Sequence, residues 1–103
     1  MIKASRPLAE MTNDFLKDPE AAALYLEEVL AEGDVDLFKL AIRNVAEARL
    51  GGMTELAEAT DLGRESLYKS LSEKGNPRLN TLTKVLKATG LRLSIAAVEK
   101  APA

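Results

Sequence analysis

The chain contains no cysteine, no histidine and no tryptophan. Without cysteine there is no disulfide framework and no thiolate chemistry. The absence of histidine as well removes the usual zinc ligands and the commonest general base, and it rules out Ser/His and Cys/His nucleophile systems. No glycine-rich phosphate cradle is present. Glu27 and Glu28 are adjacent carboxylates, but neighbours on a helix point apart and read as a solvated face. These absences argue against an enzyme, and no cofactor and no metal site is expected. No apolar run reaches about 18 residues, so no membrane span is expected. The N-terminus lacks a charged-then-apolar signal pattern, and a cytoplasmic protein is the simplest reading. Aromatic residues make up only 4 % of the chain. The core must therefore come from Leu, Val, Ile, Met and Ala.

What is present suits one small soluble domain: 103 residues, 47 % hydrophobic and 29 % charged. The net charge of −2 hides a strong asymmetry. Residues 1–50 carry six Lys/Arg against ten Asp/Glu, and residues 51–103 carry eight against six. Within 63–92 the cations are Arg64, Lys69, Lys74, Arg78, Lys84, Lys87 and Arg92, opposed only by Glu65 and Glu73. An acidic half thus precedes a basic segment, the kind of focused patch that can serve a polyanion despite the acidic total.

Residues 1–17 show no sustained period and read as an extended arm broken at Arg6-Pro7, with Leu8, Met11, Phe15 and Leu16 available to pack on the body. Asp18-Pro19-Glu20 is a helix start: a cap acceptor, a proline at the first helical position and an acid for the dipole. Leu24, Tyr25, Val29 and Leu30 are expected on its inner face. Gly33 suits a left-handed residue after the helix. Asp34 caps the next helix, which runs to about Leu50 with Leu37, Phe38, Ala41, Ile42, Val45 and Ala46 inward. Gly51-Gly52 ends it. Residues 54–60 read as a short helix capped by Thr54, Asp61-Leu62-Gly63 as a turn, and residues 64–72 as another short helix. A loop follows through Gly75-Asn76-Pro77-Arg78. Residues 80–89 form a further helix, with Leu82, Val85 and Leu86 inward and Gly90 closing it. Leu91-Arg92-Leu93-Ser94-Ile95 alternates apolar and polar and predicts one strand. A lone strand cannot satisfy its own backbone, so it needs a partner, such as the same strand of a second subunit.

Two short helices joined by a tight turn, backed by a third, make a DNA-reading unit. The crossing demands a small residue, which Ala57 provides. The turn demands a left-handed one, a role for Asp61. Leu56, Leu62, Leu67 and Leu71 would bury the inner faces. Arg64, Glu65, Ser66, Tyr68 and Lys69 then face outward in the first two turns, the part that enters the major groove. Arg64 can pair with a guanine edge or a phosphate. Ser66 and Lys69 are candidates for similar contacts. Glu65 can accept from a cytosine amino group or pair with Lys69 one turn on. Tyr68 can touch a thymine methyl or a phosphate, or pack against the neighbouring helix. Asn76, Arg78, Asn80 and Thr81 precede or open a helix N-terminus, a natural phosphate site, though the same residues also suit a plain loop and cap. Lys84 and Lys87 read as solvated surface.

The order Met53-Thr54-Glu55-Leu56-Ala57, then Leu62 through Ser72, then Gly75-Asn76-Pro77, then Thr81 through Leu93 resembles the lambda-repressor-like (Xre) helix-turn-helix superfamily. It resembles more closely the HigA-type addiction-module antidote family. The Asp18-Pro19-Glu20 helix start and Glu32-Gly33-Asp34 also fit, so the resemblance runs from about Arg6 to Val98. Three positions depart from the pattern: Gly63 where the family usually has Ser, Asp61 where the superfamily usually has Gly, and Arg78 where Ser often follows Asn-Pro. The last shifts the expected capping role to Asn80.

The resemblance implies an all-α fold: a lambda-repressor-like helix-turn-helix domain over 34–98 with an extra N-terminal helix and a short C-terminal β-strand. Residues 1–33 would then be an arm and helix able to contact a toxin, and 99–103 a tail. It also implies an antitoxin that binds a small basic toxin of the RelE/ParE-like class and, as a homodimer, represses its own operon on double-stranded operator DNA. Thr54 joins the DNA-binding candidates. Two other readings stay open: a transcriptional regulator of the same fold without a toxin, and a protein-interaction module that has lost DNA binding.

Overall fold

The computed structural model describes residues 13–72 and 74–99. The helices, in chain order, are α1 (Pro19–Ala31), α2 (Val35–Leu50), α3 (Met53–Thr60), α4 (Arg64–Ser70) and α5 (Leu79–Ala88). The described residues contain no strand, so the fold is all-helical. Residues 13–15 add a helical turn before α1 where an extended arm was expected. The expectations for Arg6-Pro7, Leu8 and Met11 lie outside the described residues.

The helix boundaries follow local chemistry. The Asp18 carboxylate accepts from Ala21 N at 3.1 Å, and Pro19 occupies the first helical position. The Asp34 carboxylate accepts from Leu37 N at 3.0 Å. Each satisfies a backbone donor that the first turn leaves without a partner. Between the two helices the chain reverses at Gly33, whose φ of +81° a side chain would strain. α2 ends where Gly51 turns left-handed and its N–H reaches back to the Ala46 and Glu47 carbonyls.

α2 is the central element. α1 and α3 both pack against it, and α3 also meets α4 and α5. The core joins Leu16, Ala22, Leu26 and Val29 to Phe38, Ala41, Ile42, Val45 and Ala46, and continues through Leu56, Leu67, Leu71, Val85 and Leu86. Burying each large aliphatic side chain contributes about 1.5–3 kcal/mol.

The inner face of α1 differs from the expected one. Leu24 and Leu30 are 54 % and 50 % exposed. Ala22, Leu26 and Val29 face the core, with Tyr25 half-buried beside them. The small Ala22 gives close approach to α2, and that selects the face. Leu37 is likewise exposed at the rim of α2, while Phe38, Ala41, Ile42, Val45 and Ala46 are buried as expected. Two caps also move. The N-cap of α3 is Gly52, which places Thr54 second in the helix. The N-cap of α5 is Arg78, so Leu79 and Asn80 already belong to the helix.

The C-terminal strand does not form in the single chain. After Gly90 reverses the backbone at a φ of +89° and Leu91 N reaches Leu86 O at 2.8 Å, residues 91–99 carry no regular structure. Ile95 is 100 % exposed and Val98 91 %. Without a neighbouring strand to complete its hydrogen bonds, the alternating pattern has nothing to pair with.

Candidate nucleic-acid interface

α3 and α4 meet through a turn whose geometry rests on a few polar groups. The Thr60 hydroxyl is buried and donates to Leu56 O at 2.8 Å. Asp61 then adopts φ 60° and ψ 26°, the left-handed conformation expected of it. Gly63 is extended and caps α4 through its backbone, its carbonyl accepting from Leu67 N at 2.8 Å. Ala57 is buried on α3, which packs against α4. Leu67 and Leu71 are buried, and Leu62 is half-buried. With those anchors inside, Arg64, Glu65, Ser66, Tyr68 and Lys69 are all exposed. The Arg64 guanidinium lies over the Tyr68 ring, 5.7 Å from its centroid, a distance at which a cation is attracted by the ring face. Tyr68 is therefore an outward platform. Glu65 and Lys69 form no ion pair, unlike Lys17–Asp14 and Lys39–Asp36.

The chain leaving α4 folds back under it. Gly75 N donates to Ser72 O at 2.9 Å, and a Cβ at Gly75 would stand 1.9 Å from the Lys69 carbonyl oxygen. No side chain fits there. The loop then presents Asn76 and Arg78 to solvent and runs into the N-terminus of α5, where Asn80 is exposed and Thr81 half-buried. Asn80 offers its backbone carbonyl to the Thr83 hydroxyl at 2.9 Å. Thr54, on the first turn of α3, is exposed.

Three cations of α2 take a role that the sequence reading did not assign. Lys39 Nζ donates to Gly75 O at 2.6 Å and pairs with Asp36 at 3.2 Å. Arg43 donates to Leu71 O. Arg49 donates to Thr89 O at 2.7 Å and also to Lys17 O. Each joins segments at least 28 residues apart. A signal existed: Lys39 lies three and seven residues before Ile42 and Ala46, on a buried stripe where a solvated lysine does not belong.

With these cations engaged on backbone carbonyls, the exposed positive charge lies elsewhere. Arg64, Lys69, Lys74, Arg78, Lys84, Lys87 and Arg92 are all exposed. On α1 the exposed charges are Glu20, Glu27 and Glu28, with Glu32 just beyond. Glu55, Glu58, Asp61 and Glu65 are exposed as well, on α3, the turn and α4. Among the described residues, no group of three or more acidic side chains could hold a metal ion, and no helix is long and apolar enough to cross a membrane.

A family model described as "probable addiction module antidote protein" matches residues 9–97. An uncharacterized protein of Haemophilus influenzae (strain Rd) is 37 % identical over 93 residues, covering 85 % of this chain and 94 % of that relative. No solved structure is significantly similar. The matched region takes in α1 through α5 and most of the extended C-terminal segment, and on that evidence the chain belongs to the family of probable addiction module antidote proteins.

Proposed function

We propose that this protein is the antitoxin of a toxin–antitoxin module, that it neutralises a small basic toxin of the RelE/ParE-like class, and that it represses its own operon by binding operator DNA. In this reading α3, the 61–63 turn and α4 form a helix-turn-helix of the lambda-repressor-like, HigA-type kind, with α4 entering the major groove. The observation that carries it is α4 itself. It is anchored by Leu67 and Leu71 and turns Arg64, Glu65, Ser66, Tyr68 and Lys69 outward together. Arg64, Ser66 and Lys69 would meet base edges or phosphates. Asn76, Arg78, Asn80 and Thr81, at the start of α5, would hold the flanking backbone, with Thr54 at the start of α3.

The exposed acids of α1 would serve a different partner. A basic toxin is complementary to Glu20, Glu27, Glu28 and Glu32, so residues 1–33 are the proposed toxin-contacting segment. The DNA-binding unit would be a homodimer, since a two-fold operator calls for a two-fold protein. Residues 91–98, which carry no regular structure in the single chain and leave Ile95 and Val98 exposed, would pair with their counterpart.

The test is binding to DNA from the protein's own upstream region at two salt concentrations, with an Arg64→Ala/Lys69→Ala double variant alongside. Specific binding that the variant loses, together with a shallower salt dependence, is the expected result. A folded protein that binds no DNA at low salt would overturn the repressor role and leave protein interaction as the main activity. For the toxin, reversing the exposed acids of α1 (Glu20→Lys/Glu27→Lys/Glu28→Lys) leaves the core residues in place and should abolish neutralisation, and retained neutralisation would move the contact elsewhere.

A further inference from the structure

α4 has seven residues. A helix of two turns does not hold itself in water, because nucleation is unfavourable and few bonds follow. Its direction must come from what it rests on. Leu67 and Leu71 supply the apolar contact. At the C-terminal end the last carbonyls need donors. Some are local: Ser72 reaches Lys69 O with its hydroxyl at 2.8 Å, and Gly75 N reaches Ser72 O.

Two donors are not local. Arg43 donates to Leu71 O, and Lys39 donates to Gly75 O at 2.6 Å. These residues stand one turn apart on α2 and hold both sides of the exit from α4. A cation at a helix C-terminus also favours the helix dipole. Lys39 is only 3 % exposed. A buried ammonium is costly unless paired and hydrogen-bonded, and methionine would fill similar space without that cost. What the charge holds here is the stretch leading to Asn76 and Arg78.

We propose that Lys39 and Arg43 are positioning residues for DNA binding. From within the fold they set the angle of α4 and the path of residues 74–78. The Arg64, Ser66 and Lys69 set is thereby held in register with Asn76 and Arg78. The inference rests on the DNA-binding reading above, and neither side chain is assigned a contact with DNA.

The experiment uses the full chain and a duplex from its own upstream region. Lys39→Met, Arg43→Met and Arg43→Lys are compared with wild type and with Arg64→Ala. Loss of a hydrogen bond to a charged group should weaken binding by about tenfold in the two methionine variants. Their salt slope should match wild type, because no phosphate contact is removed, whereas Arg64→Ala, if it loses one, flattens the slope by about 0.9. Arg43→Lys keeps one donor for Leu71 O and should recover most of the affinity. Amide hydrogen exchange without DNA should quicken over 71–78 and stay unchanged in α1, which a general loosening of the fold would not produce. If Lys39→Met does not fold, the Arg43 pair decides by the same measurements. Wild-type affinity in the folded methionine variants overturns the positioning role alone, as does a slope lowered like that of a lost phosphate contact. A wild-type chain that binds no DNA overturns the DNA-binding reading and this inference with it.

Discussion

Arg64 and Tyr68 stand one turn apart on α4, with the guanidinium held over the ring at 5.7 Å from its centroid. Both are exposed, so the contact organises a surface rather than the core. An arginine resting on a ring samples fewer conformations before it meets a ligand, and less ordering remains for the binding step. Tyr68→Phe keeps the ring and should bind operator DNA within about twofold of wild type. Tyr68→Ala removes the platform and should weaken binding by several-fold, in line with a cation–π contact of about 0.5–1 kcal/mol at an exposed site. Fluorescence anisotropy titrations of both variants check this. Equal loss in both would assign the contribution to the hydroxyl.

The Gly75 backbone lies so close to the end of α4 that a Cβ would stand 1.9 Å from Lys69 O and 2.5 Å from Ser70 O. Both neighbours are backbone, so neither can swing aside. Gly75→Ala should destabilise the protein by about 1–3 kcal/mol, the range for forced overpacking. For a domain of this size that lowers Tm by at least several degrees. Thermal unfolding followed by circular dichroism measures it, and an unchanged Tm would mean that the loop can lift away from α4 at little cost.

Asp61 is the non-glycine residue with positive φ among those described. A left-handed conformation costs an ordinary L-residue about 1–2 kcal/mol, less for Asp, which tolerates it better than most. Asp61→Gly should therefore raise Tm slightly or leave it unchanged, while Asp61→Val should lower it by several degrees. A rise with valine would contradict the turn geometry.

The 91–99 segment leaves Leu93, Ile95 and Val98 exposed, two of them almost fully. If it completes a homodimer, Ile95→Pro removes a backbone donor from the pairing and should reduce the solution mass toward that of a monomer. Sedimentation at several concentrations distinguishes the outcomes. A dimer that persists in the proline variant would place the interface elsewhere.

Boundaries that depend on one or two adjacent residues are legible in the sequence. Asp18-Pro19, Gly33-Asp34, Gly51 and Asp61 each act locally, so their roles can be read without knowing the rest of the chain. Features whose deciding partner is distant are not legible. In α1 the run Leu24-Tyr25-Leu26 and Val29-Leu30 offers apolar residues on two faces, and only the approach of α2 decides that Leu26 goes inward and Leu24 outward. Arg43 looks like a surface cation until Leu71 is seen beside it, and the stripe position of Lys39 shows that it is buried but not that Gly75 is its partner. The strand at 91–98 was expected from its alternation, but alternation does not supply the second strand. The outward set on α4 was legible because Leu67 and Leu71 fix which side is inside. The cap of α5 was not, because its N-cap, Arg78, makes no side-chain cap hydrogen bond and carries no capping signature.

Arg49 bonds the carbonyl of Lys17 and that of Thr89, and its guanidinium also lies 2.8 Å from where a Cβ of Gly90 would be. One side chain near the end of α2 therefore ties the segment entering α1 to the end of α5. Elements far apart in the chain are fastened to the central helix at a single point, so a change at Arg49 loosens both at once.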